Sequence, residues 1–171
     1  MIDVHQHQLG DFTLQHGATL RGATLAYTTY GTLDADRSNA IVYPTWYSGR
    51  HTDNEWLIGP GMALDPGRYF IIVPNMLGNG LSSSPSNTPG AYAGPRFPNV
   101  TFYDQVRAQH DLVTSLGIEK LALVTGWSMG LARRTSGPSA IRRWWNGSRP
   151  SAARRARACT TRSSSKASRP R

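Results

Sequence analysis

The sequence lacks several features that would place it outside the class of ordinary globular proteins. It has a single cysteine, Cys159, which excludes an internal disulfide and fits a reducing compartment. No apolar stretch reaches the roughly 18 residues that a membrane-spanning helix needs. The amino-terminal MIDVHQHQLGDF has neither the basic nor the apolar region of a signal peptide. We therefore expect a cytoplasmic protein without a membrane partner.

Acidic residues are missing from the end of the chain. Residues 131–171 contain twelve basic residues and no acidic one, a net charge of +12, whereas residues 1–130 contain seven basic and ten acidic residues, a net charge of −3. The overall net charge of +9 therefore describes neither part. This difference predicts an enzyme-like domain over 1–130 and a basic, disordered tail over 131–171.

Within the first part, short apolar runs alternate with loops and a helical pattern. The runs that predict strands are Ala23–Gly31, Asn39–Pro44, Arg68–Asn75 and Lys120–Gly126. A helix is predicted over Thr101–Gly117, because Thr101 and Asp104 can cap its start and Gly117 can end it. The alternation predicts an α/β fold with a doubly wound, mostly parallel sheet.

The last of these runs leads directly into the motif GWSMG, Gly126–Gly130. It fits the G-x-S-x-G nucleophile elbow, a sharp turn between a strand and a helix that holds a serine above the sheet. Gly126 and Gly130 are required where a side chain would clash with the turn, and Ser128 is the candidate nucleophile. Its place directly after a buried strand makes the motif more specific than its three fixed positions alone.

From about Tyr27 to Gly130 the chain resembles the homoserine O-acetyltransferase group of the α/β-hydrolase superfamily. The segments that carry the resemblance are LAYTTYGTL, IGPGMALDPGRYFIIVPNMLGNGLSSSPSN, GPRFPNVTFYDQVRAQHDLVTSLGIEKLALV and GWSMG, in the same order and spacing. The resemblance implies the amino-terminal part of an α/β-hydrolase fold, truncated after the elbow.

The resemblance also implies a mechanism. Ser128 would attack the thioester of acetyl-CoA, which serves as co-substrate with no bound cofactor, and the acetyl group would pass to a small amino-acid-like hydroxyl compound. The oxyanion donors would be the backbone N–H groups of Met129 and, in the loop TWYSG, of Tyr47. Trp46 and Tyr47 are bulkier than the family's residues here, so plain ester hydrolysis stays open as an alternative. The resemblance allows a homodimer.

Other segments carry weaker signals. His51 follows the oxyanion loop, and we expect it to be a solvated loop residue. The histidines of HQH, His5 and His7, are too poor in neighbouring ligands to predict a metal site. The long loop Pro74–Asn99 is rich in proline, glycine and serine, and loops of this length in compact domains often line an active-site mouth.

The segment after the elbow raises a separate question, because residues 131–171 show no sustained helical or strand period. Shifting the reading frame by one base turns Trp144-Trp145-Asn146, encoded by TGG-TGG-AAY, into Val-Glu. With codon choice elsewhere, the chain from Thr135 can read EWAVRYPxMVERLAPFxGTAR, which is helical in pattern and similar to the family's continuation. We therefore expect a frame change between about Leu131 and Thr135.

A frame change would have a chemical consequence. In this superfamily the aspartate and histidine that activate the serine come after it in the chain, whereas here no acidic residue follows Glu119 and no histidine follows His110. We therefore expect the chain as written to be inactive. An alternative from another class is nucleic-acid binding through the arginine- and serine-rich tail, which would show a steep salt dependence; we do not expect it to be the main function.

Overall fold

The computed structural model describes residues 3–127, which form one five-stranded sheet and one long helix. The strands are β1 (His5–Thr13), β2 (Thr19–Tyr30), β3 (Ala40–Val42), β4 (Phe70–Pro74) and β5 (Leu123–Val124), and α1 spans Phe102–Ser115. A seven-residue 3₁₀ helix, His51–Leu57, follows β3. The predicted tail lies outside the described residues, as do Ser128, Met129 and Gly130.

The strand order is β1-β2-β4-β3-β5. As the sequence predicted, β3 runs parallel to both β4 and β5. The described sheet as a whole is mixed, however, because β2 is antiparallel to both β1 and β4. The turn between β1 and β2 is too short for a crossover, so these two strands can pair only as an antiparallel hairpin.

The sheet is covered on both faces, which explains the continuous apolar runs in its central strands. One face carries the cluster that includes Ala40, Val42 and Ile72, together with Val106 and Leu112 of α1. The opposite face carries Ile41, Tyr43, Leu64, Ile71 and Val73. Successive residues of β3 and β4 thus point to opposite cores, and both strands are buried along their length.

The helix α1 begins and ends where the sequence predicts. At its start the Thr101 amide donates to Asp104 Oδ2 (2.9 Å) and the Asp104 amide donates to Thr101 Oγ1 (3.3 Å), a reciprocal cap. At its end Gly117 adopts a φ of 70°, a conformation that favours glycine. The Arg37 guanidinium donates to the carbonyls of Leu116 and Gly117 there. Across residues 3–127, no helix is long and apolar enough to cross a bilayer.

The amino-terminal hairpin is the part of the fold that the sequence analysis missed. The β1 segment HQHQLGDFT has only one β-branched residue, Thr13, although such residues are typical of strands. It pairs with β2 through a register that shifts on both sides of Gly10. Such a bulge breaks the regular alternation of buried and exposed residues. The predicted strand Ala23–Gly31 therefore covers only the second part of β2, which already begins at Thr19.

Candidate active site

The candidate site lies where β3, β4 and β5 end. Three connections leave the sheet at this edge: the segment after β3, the long loop after β4, and the start of the elbow after β5. Parallel strands place their carboxyl ends on one side of a sheet, and this is where ligands bind in open α/β folds. The topology therefore brings together the three segments that the sequence analysis singled out.

Only the entrance to the elbow is described. The Thr125 amide donates to the Val42 carbonyl (3.1 Å), which holds the end of β5 beside the end of β3. Gly126 follows, and the Trp127 ring then lies edge-on to the Trp56 ring, with centroids 6.3 Å apart and an interplanar angle of 86°. Each of these two side chains is more than half exposed. The chain thus enters the elbow beside the 3₁₀ helix, and the position of Ser128 stays a prediction.

The loop Thr45–Gly49, where the resemblance places an oxyanion donor and which is therefore called the oxyanion loop, forms a tight turn. The Gly49 amide donates to the Trp46 carbonyl (3.3 Å), which leaves Tyr47 and Ser48 at the tip. A Cβ at Gly49 would lie 2.5 Å from the Trp46 ring, so the turn needs glycine at this position. The Tyr47 side chain is 74% exposed. Among the described residues, no acceptor is recorded for the Tyr47 backbone N–H, and its role as an oxyanion donor stays a prediction.

The oxyanion loop is attached to the chain that follows β4. The Thr45 amide donates to the Pro74 carbonyl (3.2 Å), and the Thr45 hydroxyl oxygen accepts from the Met76 amide (3.1 Å). Thr45 itself is fully buried. The beginning of the loop is therefore held by buried hydrogen bonds, which the sequence analysis did not anticipate.

His51 is not the solvated loop residue that the sequence suggested. It is buried, with 7% of its surface exposed. Its amide donates to Asn75 Oδ1 (3.0 Å), and its ring Nδ1 lies 3.4 Å from Asn75 Nδ2. The expectation was wrong because His51 begins the 3₁₀ helix, which packs against the sheet edge instead of extending into solvent.

The 3₁₀ helix is held against the sheet by polar side chains. Asn54 Nδ2 donates to the Tyr43 carbonyl (3.0 Å), and the Tyr30 hydroxyl donates to Glu55 Oε1 (3.1 Å). Burial raises the pKa of Tyr30, and the hydrogen bond to the negatively charged Glu55 raises this pKa further. Burial also raises the pKa of Tyr43. Both phenols therefore stay neutral at physiological pH.

A groove of about 320 Å³ opens beside the oxyanion loop. Its wall includes Tyr47, Met76, Leu77, Phe97 and Val100. The long loop after β4 thus lines a groove at this edge of the sheet, and its place at an active-site mouth stays a prediction. Leu77 is held by the buried amide of Gln105 from α1, which accepts from its N–H (3.1 Å) and donates to its carbonyl (2.9 Å).

No cluster of metal-ligating side chains occurs in residues 3–127.

Comparison with known proteins identifies the family. Residues 41–130, the stretch from β3 to the elbow, match the model of the alpha/beta hydrolase fold family. The chain belongs to this family. Within it, the similar proteins include both esterases and homoserine O-acetyltransferases, so the resemblance stated from the sequence is confirmed for a group that also contains esterases.

Three similar proteins illustrate this group. The ethyl acetate hydrolase of Pseudomonas veronii is 54% identical over 124 residues, which cover 71% of this chain and 36% of the relative. The homoserine O-acetyltransferase of Chlorobium chlorochromatii is 40% identical over 126 residues, covering 70% of this chain and 35% of the relative. The solved structure of the acetyl esterase MekB is 52% identical, with a TM-score of 0.73 over 75% of this chain and 38% of that one.

This chain therefore spans little more than a third of the length of the curated relatives that it matches. The matched third contains the central strands and the oxyanion loop. The superfamily's aspartate and histidine follow the serine in the chain. The matched part thus contains the strands that lead to the serine, whereas the superfamily's aspartate and histidine lie beyond it.

Proposed function

We propose that this chain is the amino-terminal part of a serine esterase of the α/β-hydrolase family that hydrolyses small acetyl esters. The observation that carries the proposal is the 54% identity to an ethyl acetate hydrolase, against 40% to a homoserine O-acetyltransferase. The Trp46–Tyr47 pair in the oxyanion loop points the same way, because both residues are bulkier than those that the acetyltransferase resemblance implies here.

The proposed reaction is two-step acyl transfer. Ser128 Oγ attacks the acetyl carbonyl carbon while a histidine takes its proton, and the resulting oxyanion accepts hydrogen bonds from the Met129 and Tyr47 N–H groups. The C–O bond to the alcohol then breaks, and the alcohol leaves with the proton from the histidine. Water attacks the acetyl-serine in the same way, which releases acetate and restores Ser128.

The chain as written does not supply this histidine in the expected place. We propose that the coding frame changed near residues 131–135, that the base and its aspartate belong to the restored frame, and that the 171-residue chain turns over no ester. The tail over 131–171, with its twelve basic residues, is then a product of the shifted frame. We further propose that the protein is cytoplasmic and forms a homodimer.

Acetyl transfer is the second candidate, and the 40% identity to a homoserine O-acetyltransferase favours it. The same acetyl-serine would form from acetyl-CoA, and an amino-acid hydroxyl would replace water in the second step. The two candidates thus differ only in what attacks the acetyl group on Ser128.

The test uses a frame-restored protein beside the chain as written. Both are assayed with ethyl acetate, and with acetyl-CoA plus homoserine, and acetate and acetylhomoserine are quantified. We expect acetate release from the ester by the restored protein alone, abolished in Ser128→Ala. Loss of the nucleophile in a serine hydrolase typically costs about a million-fold in kcat. The control is Ser38→Ala, which changes an exposed serine at the other end of β3.

Three outcomes would contradict parts of the proposal. Acetylhomoserine as the main product would replace hydrolysis with transfer. Acetyl label on a residue other than Ser128, located by mass spectrometry, would refute the nucleophile. Robust turnover by the 171-residue chain would show that a base exists within it.

A further inference from the structure

The oxyanion loop is attached to the loop after β4 at both of its ends. Its beginning is held at Thr45, as described above. Its end is held by two asparagine side chains: Asn79 Nδ2 donates to the Gly49 carbonyl (3.1 Å), and Asn75 Oδ1 accepts from the His51 amide (3.0 Å). The loop tip therefore projects from a turn whose two flanks are both fastened to one neighbouring segment.

Asn75 connects this arrangement to the sheet. It is fully buried, and both its backbone amide (2.8 Å) and its Nδ2 (3.3 Å) donate to the Ala26 carbonyl of β2. Its own carbonyl accepts from the Ser82 hydroxyl (2.9 Å), and the Ser82 oxygen in turn accepts from the Ala26 amide (2.9 Å). The segment that holds the oxyanion loop is thus itself part of the rigid core.

Asn79 stands between two glycines whose backbone conformation directs its side chain. Gly78 and Gly80 have φ values of 95° and 96°, a region that residues with a side chain rarely adopt. The chain turns sharply at each, and the half-buried Asn79 faces Gly49 across the gap. Its Oδ1 accepts from the Leu81 amide (3.5 Å), a weak contact that orients the amide group.

We propose that Asn79 is a positioning residue for catalysis, which sets the direction of the Tyr47 N–H by holding the Gly49 carbonyl. This inference rests on the proposed esterase function and deepens it. Gly49 closes the turn by donating to the Trp46 carbonyl, so a fixed Gly49 fixes the plane in which Tyr47 lies. An oxyanion donor acts through its preset direction, and a small misplacement raises the barrier without weakening substrate binding.

The kinetic test compares Asn79→Ala and Asn79→Asp with wild type in the frame-restored protein. Both variants lose the donor to Gly49, and the aspartate keeps the size of the side chain. We expect kcat for acetyl ester hydrolysis to fall about 10- to 100-fold with KM within about threefold. Asn79→Gln keeps an amide donor on a longer arm, and we expect it to recover part of the loss.

Asn87→Ala is the matched control. Asn87 lies in the same loop, and its Nδ2 donates to the backbone carbonyls of Gly80 (3.3 Å) and Ser82 (3.0 Å) without reaching the oxyanion loop. Its Oδ1 also accepts from the Ser84 amide (2.7 Å) and hydroxyl (3.0 Å). The change thus removes side-chain amide hydrogen bonds within this loop alone. We expect a lower melting temperature with unchanged kcat, which separates loop stability from positioning.

A second readout does not depend on activity. Amide hydrogen exchange of peptides covering residues 45–51 should accelerate in Asn79→Ala and stay at the wild-type rate in Asn87→Ala. Unchanged exchange in Asn79→Ala, equal kcat in the two alanine variants, or a raised KM with normal kcat would each overturn the proposal. If wild type hydrolyses no ester, the proposed function fails, and the exchange data still decide whether Asn79 holds the loop.

Discussion

The β1–β2 hairpin and the loops at the carboxyl edge of the sheet are held together in different ways. The hairpin has a backbone ladder of seven paired positions and side-chain pairs at the surface. Thr13 with Thr19 and Arg21 with Asp11 pair within the hairpin, and His7 with Asp111 joins it to α1. The described loops after β3 and β4 have one isolated bridge, Ile58 with Leu64, in place of a ladder. Buried side chains bond to their backbone instead.

This difference follows from how each region satisfies its buried peptide groups. A hairpin pairs N–H with C=O along its length, so the identity of most side chains matters little to its shape. A loop packed against the core must find other partners for its peptide groups, and short polar side chains such as asparagine, serine and threonine supply them. The shape of the carboxyl-edge loops therefore depends on individual side chains. Substituting one of them should lower the free energy of unfolding more than a substitution in the hairpin.

The largest effect on stability is expected for Asn75→Ala. The change removes the acceptor of the His51 amide and one donor to Ala26, and it leaves a buried N–H unpaired. An unsatisfied buried group costs about 1–3 kcal/mol, so we expect a loss of about 3 kcal/mol in the free energy of unfolding. Urea denaturation of the frame-restored protein measures it.

The control for this prediction is Asn99→Ala, which changes an exposed asparagine further along the same loop. We expect its free energy of unfolding to stay within about 0.5 kcal/mol of wild type. Equal losses in both variants would show that the buried amide network contributes nothing beyond ordinary loop packing.

The same difference explains what could be predicted from the sequence. The central strands were predictable because burial on both faces requires continuous apolar runs. The helix α1 was predictable because Thr101, Asp104 and Gly117 mark its two ends in the sequence. The segments β3, β4 and β5 all lie within their predicted ranges. The hairpin was missed in part because its backbone ladder needs no particular side chains in β1.

For the site, the sequence indicated which segments meet but not what holds them. Tyr47 was proposed because the loop TWYSG resembles the family's loop at this place, and Gly126 because it begins the G-x-S-x-G motif; their roles stay predictions. Asn75 and Asn79 lie in a stretch whose composition is typical of any flexible loop, and their partners, His51 and Gly49, are 24 and 30 residues away. Hydrogen bonds over such separations leave no periodic signal in a single sequence.

A smaller effect separates two glycines, one in each region. Gly49→Ala places a Cβ 2.5 Å from the Trp46 ring and must displace it from the oxyanion turn. In the hairpin, Gly22→Ala meets nothing within 4 Å and carries only the strain of a φ of 55°, about 1 kcal/mol. We expect Gly49→Ala to lower kcat about tenfold, and Gly22→Ala to lower only the melting temperature. A fall in kcat in Gly22→Ala would break the comparison.

The smallest effect concerns the exposed pair of Asp11 and Arg21 in the hairpin. The hydrogen bond from Arg21 lowers the pKa of Asp11, and the Gly22 N–H, 3.3 Å from Asp11 Oδ1, lowers it further. Because the folded pKa lies below the ordinary value of 3.8, the ionised carboxylate stabilises the fold above that pH. This contribution is lost as pH falls through the folded pKa.

Asp11→Asn should therefore melt slightly below wild type at pH 7, by the same margin at pH 5, and the two proteins should converge as the pH drops below 3.8. In about 1 M salt the margin at pH 7 should shrink, because both side chains are exposed and the charges are screened. Glu119→Gln, at an exposed carboxylate with no ion pair among residues 3–127, is the control. If the difference in melting temperature widens on acidification, protonated Asp11 stabilises the hairpin more than the carboxylate does. The ion pair with Arg21 would then contribute no stability.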